Sequence, residues 1–398
     1  MAEIAPADLS RGEPHLPGHR RLSGTAELPR PHPRWARLGG QPMARHLAAA
    51  VACAVALVLV TSVLSPYDNV LVGEMALYLV ALAGLSLLTG ASGQISLGHG
   101  AFMAVGAYTL ALLMAHTGVN FVVELLVAVG ASAAVGLLIG ISATRLRGPY
   151  LAGLTLLLAL ALPPVGDKWS TTFGGDQGLI TTVPPGPGGV NPEVWLTWIE
   201  LAGALVTLVL LANLSTSRFG RSFRAVRDDE VAASLSGVHV AGAKVMAFVV
   251  SAGCAGLAGA FLGLSTGVVS TGEFPLTLSI QLLAAMVLSG AGSLAGMCWG
   301  AVLLVYVPQW STSLSGDFGL GAGTSAYLAT IIFGAVMIVV MIAAPTGAQG
   351  GLRRAWAWSR NARPGHRAGP PPVPGSGRGL SSSTVGDQSS PVPDPLNQ

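Results

Sequence analysis

Between Gly93 and Thr109 the chain reads Gly-Gln-Ile-Ser-Leu-Gly-His-Gly-Ala-Phe-Met-Ala-Val-Gly-Ala-Tyr-Thr, inside a region apolar enough to cross a bilayer. Gly93, Gly98, Gly100 and Gly106, with Gln94, Ser96, His99 and Tyr108, interrupt what would otherwise be continuous hydrocarbon-facing helix. Lipid offers no partner to a freed N–H or C=O, so an irregular stretch at that depth is either buried in protein or lines a watery cavity. Transport proteins build substrate paths from such broken helices. The polar groups most costly in lipid are Glu74, Gln94, Ser96, His99, Tyr108, Glu124, Gln281 and Ser289, which makes them the candidate pathway residues. Each has a second reading. Glu74 and Glu124 lie near helix ends, within reach of headgroups. His99 is also a packing histidine, and Gln94 and Ser96 also serve to satisfy broken-helix backbone. The glycines permit kinks and close helix crossings.

A second stretch, Ser217 to Gly237, is the most charged part of the apolar region: Ser-Arg-Phe-Gly-Arg-Ser-Phe-Arg-Ala-Val-Arg-Asp-Asp-Glu-Val-Ala-Ala-Ser-Leu-Ser-Gly. Asp228 and Asp229 suit the start of a short helix and complement its positive end. Gly237 suits its termination in a left-handed turn. The result is an amphipathic helix of about two turns over 230–236, with Val231 and Leu235 on one side and small Ala232, Ala233 and Ser236 beside them. Small residues allow a partner's groove to approach, and Arg224 and Arg227 supply charge for acidic partner residues. Alternatively the loop anchors to lipid headgroups.

The elements that must hold these stretches are spanning helices. The chain has 398 residues, 51% hydrophobic and 10% charged. Its mean hydropathy is +0.62. Soluble domains carry roughly 25% charged residues, so the composition describes a polytopic membrane protein. A net charge of +3 without a basic stripe gives no argument for nucleic acid. Apolar runs place spans at 46–64, 70–89, 98–116, 120–143, 149–165, 195–214, 244–267, 279–290, 296–309 and 326–345, about ten in all. The pair 279–290 and 296–309 reads either as one broken helix or as two short ones. Residues 1–45 form a Pro- and Arg-rich tail, 46–346 a transmembrane domain with a charged loop at 215–243, and 347–398 a Pro/Gly/Ser-rich tail. Both tails are expected to be disordered, and nothing in 1–45 would insert as a signal sequence.

Arginines cluster before the first span, at Arg145 and Arg147, through the 215–243 loop and after the last span. The opposite loops carry mainly Asp68, Asp167, Asp176, Glu193 and Asp317. By the positive-inside rule both termini and the 215–243 loop are cytoplasmic. Trp169, Trp195 and Trp198 suit an outer interfacial belt. Gly290-Ala-Gly-Ser-Leu-Ala-Gly296 echoes Gly90-Ala-Ser-Gly93-Gln-Ile-Ser-Leu-Gly98, the pattern an internal repeat would leave. Cys53, Cys254 and Cys298 lie in apolar segments and read as buried small hydrophobes. No metal-ligand cluster, catalytic triad or paired carboxylates emerge, and no cofactor is expected.

Glu230-Val-Ala-Ala-x-x-x-Gly237 resembles the glutamate–alanine–alanine…glycine loop of ATP-binding-cassette importer permeases, with Val231 an insertion and the Ala233-to-Gly237 spacing kept. The 93–108 stretch resembles the hallmark of the LivM-type permeases of branched-chain amino-acid importers. So do Arg147-Gly-Pro-Tyr-Leu-Ala-Gly-Leu-Thr-Leu156, Phe173-Gly-Gly-Asp-Gln-Gly-Leu179 and Gly290 to Gly296, although Phe173 stands where a threonine is usual. The resemblance covers about 70–345 and leaves the tails aside. It implies an all-α permease working by alternating access, with a second, LivH-like permease subunit, separate ATPase subunits and an extracytoplasmic substrate-binding protein. It also implies that Arg224, Arg227, Asp228, Asp229, Glu230, Ala232, Ala233, Leu235 and Gly237 form the surface that couples to the ATPase. No Gly-x-x-x-x-Gly-Lys-Ser/Thr loop is present; Gly242-Ala-Lys244 lacks the upstream glycine, so the chain has no phosphate loop of its own. The rival reading is a stand-alone channel or ion-coupled transporter for a small polar solute. It accounts for broken helices equally well but gives no role to the capped 230–236 helix.

Overall fold

The computed structural model describes residues 53–317 apart from 55 and 147, together with 331, 332, 334, 335, 338, 339 and 342. The expected tails and most of the 326–345 span lie outside these residues, and the 46–64 span is described only from 53 onward.

The following helices organise the fold among the described residues. They are α1 (Pro66–Leu85), α2 (His99–His116), α3 (Phe121–Ala143), α4 (Pro149–Lys168), α5 (Pro192–Thr216), α6 (Arg218–Asp228), α7 (Glu230–Leu235), α8 (Val240–Thr266), α9 (Leu276–Gly290) and α10 (Met297–Asp317). Among the described residues seven helices are long and apolar enough to cross a membrane; Met297–Trp310 is a shorter apolar stretch. The 279–290 and 296–309 segments are two helices, α9 and α10, separated by a turn. Among the described residues the only strands are a two-residue pair, β1 (Leu179–Ile180) and β2 (Val268–Val269), which run antiparallel.

Local chemistry sets the helix starts. The Ser65 hydroxyl accepts from the Asp68 N–H and Pro66 occupies the first turn of α1. Asn120 Oδ1 accepts from the Val122 N–H at 2.9 Å to open α3. Pro149 opens α4.

The core forms around α8, which packs against α1, α2 and α3. Aliphatic side chains gain nothing from leaving lipid for protein, so close backbone approach has to hold spanning helices together. A side chain at Gly106 would overlap the Gly256 backbone, and one at Gly259 would overlap Met103. The fully buried Ser132 hydroxyl donates to the Phe102 carbonyl at 2.9 Å, tying α3 to α2. Cys254 is half-buried, whereas Cys53 and Cys298 are exposed. This corrects the expectation that all three are buried. An apolar helix can display a thiol on its outer face as readily as in its core.

Candidate functional site

The irregular stretch is real, and it begins earlier than the sequence indicated. Helix α1 does not end at Leu85 but widens into a π-helical turn, Ser86–Ala91. Regular helix resumes only at His99. We call 86–98 the elbow. Most of its polar groups are satisfied from several directions, Gln94 Oε1 being a buried atom without a hydrogen-bond partner. Ser92 Oγ donates to the Leu88 carbonyl at 2.7 Å, and Thr89 Oγ1 donates to the Gln94 carbonyl at 3.1 Å. The Leu97 N–H reaches Thr155 Oγ1 on α4 at 3.0 Å, and the Gly100 N–H reaches Ser279 Oγ on α9 at 2.9 Å. This network is how broken backbone persists at membrane depth. Thr155 and Ser279 were not singled out from the sequence, because a lone hydroxyl in a helix ordinarily bonds its own backbone.

A second elbow, between α9 and α10, meets the first. The Gly292 N–H donates to Ser86 Oγ at 3.1 Å, and a side chain at Gly90 would overlap the Gly292 backbone. Gly93 has φ +75° and Gly292 has φ +86°, conformations that glycine adopts without strain. The two segments that echo each other in sequence are thus neighbours in space.

Both elbows lie against the charged stretch. Helix α6, unrecognised as a separate element in the sequence, buries Phe223 and Val226 and turns its arginines outward. Arg224 Nη1 donates to the Ser215 carbonyl at 3.1 Å, capping the end of α5. Arg227 Nη1 donates to the Gly90 carbonyl in the π-helical turn, and its stem lies beside Gly93. Asp228 closes α6. Asp229 is extended, with φ −159° and ψ 116°, and its Oδ1 accepts from Val231 N–H at 2.7 Å and Ala232 N–H at 3.0 Å. That is the expected cap, supplied by Asp229. Gly237 ends the turn at φ +82° as expected.

Helix α7 buries Ala233 and leaves Ala232 exposed. Val231 is 63% exposed and Leu235 85% exposed. Glu230 Oε1 lies 2.6 Å from Lys244 Nζ, whose side chain is 6% exposed. Gln94 Nε2 donates to Ser92 Oγ at 2.9 Å and to the Lys244 carbonyl at 3.4 Å, so one lysine joins the elbow to α7. A cavity of about 280 Å³ lies at this junction, lined by Gly93, Gln94, Arg227, Asp229, Glu230 and Lys244 among others.

The remaining candidates are dispersed. Ser96 is fully buried and accepts from the Gly98 N–H at 3.4 Å. Gly98 faces the Thr155 carbonyl. His99 is fully buried, with Nε2 3.0 Å from the Ala81 carbonyl and its ring edge-on to Phe102. Tyr108 lies further along α2, edge-on to Phe173 at 5.3 Å between centroids. Ser289 donates to the Ala285 carbonyl of its own helix at 2.6 Å, and Gln281 is half-buried on α9. Glu124 is 5% exposed. Glu200 escaped the sequence reading. It is 1% exposed on α5, with Oε1 lacking a hydrogen-bond partner. A single carboxyl within an otherwise apolar run was the signal for it.

A multi-pass helical bundle with a broken, internally bonded polar segment is the architecture of a membrane transport protein. Comparison with known proteins specifies the kind. Residues 66–341 match the family described as branched-chain amino acid transport system / permease component. The chain is 31% identical over 296 residues to the high-affinity branched-chain amino acid transport system permease protein LivM of Salmonella typhimurium, covering 68% of this chain and 67% of that one. It is 26% identical over 292 residues to the corresponding permease protein BraD of Pseudomonas aeruginosa, covering 69% and 91%. A shorter match, 30% over 157 residues, is to the permease protein LivH of Escherichia coli, covering 38% and 46%. The chain belongs to this permease family and is a multi-pass transport component, not an enzyme.

Proposed function

We propose that this chain is one of two permease subunits of an ATP-driven importer of branched-chain or similar apolar amino acids. Separate ATPase subunits power it, a LivH-like second permease completes the path, and an extracytoplasmic binding protein delivers substrate. The family, together with the naming of LivM and BraD as branched-chain amino-acid permeases, supports the substrate class. The arginine-bearing face with α6 and α7 is cytoplasmic, as are both termini and the tails at 1–45 and 347–398. The transmembrane domain spans 46–346 with about ten crossings, and the meeting of the two elbows supports a duplicated architecture.

The observation that carries the mechanism is the bond from Arg227 to the Gly90 carbonyl. Val231 and Leu235 present an apolar face for an ATPase groove, with Ala232 small enough for close approach. Movement of α7, transmitted through Asp229 and Arg227 and through Glu230–Lys244–Gln94, shifts the elbow at Gly93–Gly98. The path then alternates its opening. Gln94, Ser96, His99, Tyr108, Gln281 and Ser289 are the polar groups proposed along or beside that path.

The test is uptake of leucine, isoleucine and valine by the complete complex in proteoliposomes with loaded binding protein. ATP-dependent uptake abolished by Glu230→Arg, with the chain still folded, is the expected result. Solute movement by this chain alone, driven by an ion gradient, would replace the importer with a secondary transporter.

A further inference from the structure

Helices α3 and α4 are the least buried of the helices able to cross a membrane, and both present an apolar outward face. Their backbones differ. α3 holds no proline, so every carbonyl before its last turn has an N–H four residues on. α4 carries Pro163 and Pro164 side by side, and proline has no N–H. The Leu160 carbonyl therefore loses both helical donors at once, the α-helical one at Pro164 and the tighter 3-10 alternative at Pro163. Among the described residues no group outside α4 donates to it. Leu160 is 50% exposed, and Leu157, Ala161, Pro164 and Val165 are exposed beside it. It stands about 16 Å along the helix from Pro149, at 1.5 Å per residue, near the middle of a bilayer core of about 30 Å.

Lipid supplies no donor, so a freed carbonyl at that depth is covered by protein or meets water. This chain leaves the face around Leu160 open. Tight helix contacts in membranes are made by small residues, as at Gly106 and Gly259, whereas this face carries Leu157, Leu160 and Val165. Close packing against a second permease is therefore disfavoured. Resting on the reading of this chain as one of two permease subunits, we propose that the outward face of α4 lines the water-filled translocation path of the assembled importer. The Leu160 carbonyl is a main-chain polar group on that wall, hydrogen-bonded to water. The outward face of α3, with its backbone bonds complete, meets lipid. On its inner side α4 is tied to the elbow. Thr155 Oγ1 accepts from the Leu97 N–H at 3.0 Å, and a side chain at Gly98 would overlap the Thr155 carbonyl. One helix thus joins the wall of the path to the elbow.

The experiment places single thiols in the complete complex in proteoliposomes, on a background of Cys53→Ala, Cys254→Ala and Cys298→Ala. Leu160→Cys and Leu157→Cys report the proposed wall. Leu138→Cys, at a position 66% exposed on α3, reports lipid. Each variant is treated with a charged thiosulfonate and, separately, with a lipid-soluble maleimide. The thiolate is the reacting form, and apolar surroundings suppress it. The charged reagent is therefore expected to modify positions 157 and 160 at least about tenfold faster than position 138. If Leu160→Cys does not assemble, Leu157→Cys decides alone. Equally slow modification by the charged reagent at all three positions, with the lipid-soluble reagent still reacting, puts this face of α4 in lipid. Protection of 157 and 160 from both reagents puts the second permease against it. Either result overturns the assignment and leaves the importer standing. Absence of ATP-driven leucine, isoleucine and valine uptake by the wild-type complex, with the labelling contrast kept, removes the importer reading and leaves the water-lined face.

Discussion

The elbow region and the α2–α3–α8 core are both rich in glycine, yet they use it in opposite ways. In the core, glycine removes bulk. Gly106 and Gly259 let regular helices touch backbone to backbone, and nearly every hydrogen bond stays within its own helix. At the elbows, glycine permits a changed chain direction at Gly93 and Gly292, and the hydrogen bonds cross between distant elements. Gly90 pairs with Arg227, Leu97 with Thr155, Gly100 with Ser279 and Gly292 with Ser86. A surface held by many tight van der Waals contacts resists rearrangement. A junction held by a few exchangeable polar bonds can adopt a second arrangement at modest cost. On the proposed mechanism the core is the rigid part and the elbow the part that moves.

Substitutions can break this contrast. Gly106→Leu forces bulk against the Gly256 backbone and should have the largest effect, about 3 kcal/mol of lost stability. A thermal melt of the purified complex reads it directly, and an unchanged melting temperature would mean that the α2–α8 contact is loose. Leu235→Glu, on a side chain 85% exposed, should leave that melt alone. It should weaken ATPase-subunit association by about 2 kcal/mol, near 30-fold, if Leu235 anchors the docking face. Pull-down titration with the ATPase subunit is the measurement, and retained wild-type affinity removes α7 from the interface.

Two smaller changes sharpen the account of the junction. Glu230→Gln breaks the pair with Lys244. Since Glu230 is one-third exposed, the cost should be about 1 kcal/mol. A double-mutant cycle with Lys244→Gln should return a coupling energy of that size, and zero coupling would mean that the pair does not link α7 to the elbow. Asp229→Ala removes the cap of α7 and should cost about 1 kcal/mol or less, while Asp229→Asn keeps an acceptor and should cost little. Hydrogen exchange at the Val231 and Ala232 amides separates the two variants. Equal protection in both would show that the cap is idle.

Much of this was legible in the sequence, for identifiable reasons. Apolar length placed α1 to α5 and α8 to within a few residues, and Gly237 announced its turn. The resemblance of 93–108 and 230–237 to importer permeases pointed to the family that residues 66–341 match. What sequence could not supply was the pairing across distance. Nothing local to Arg227 reveals that its guanidinium reaches Gly90, 137 positions away. The π-helical turn at Ser86–Ala91 lies at that same junction. Helix α6 was overlooked because its repeated arginines read as a loop, although Phe223 and Val226 at a three-residue spacing bury one face. Glu200 was missed because attention fell on polar clusters rather than on single interruptions.

The most direct test of the central claim, that α6 and α7 move the elbow through Arg227, is the coupling ratio of the complete complex in proteoliposomes, with uptake and ATP hydrolysis measured together. Arg227→Ala should leave ATP hydrolysis and complex assembly intact while lowering amino-acid uptake at least tenfold, the expected scale for one lost charge-assisted hydrogen bond. Uptake per ATP at the wild-type value in Arg227→Ala would contradict the account.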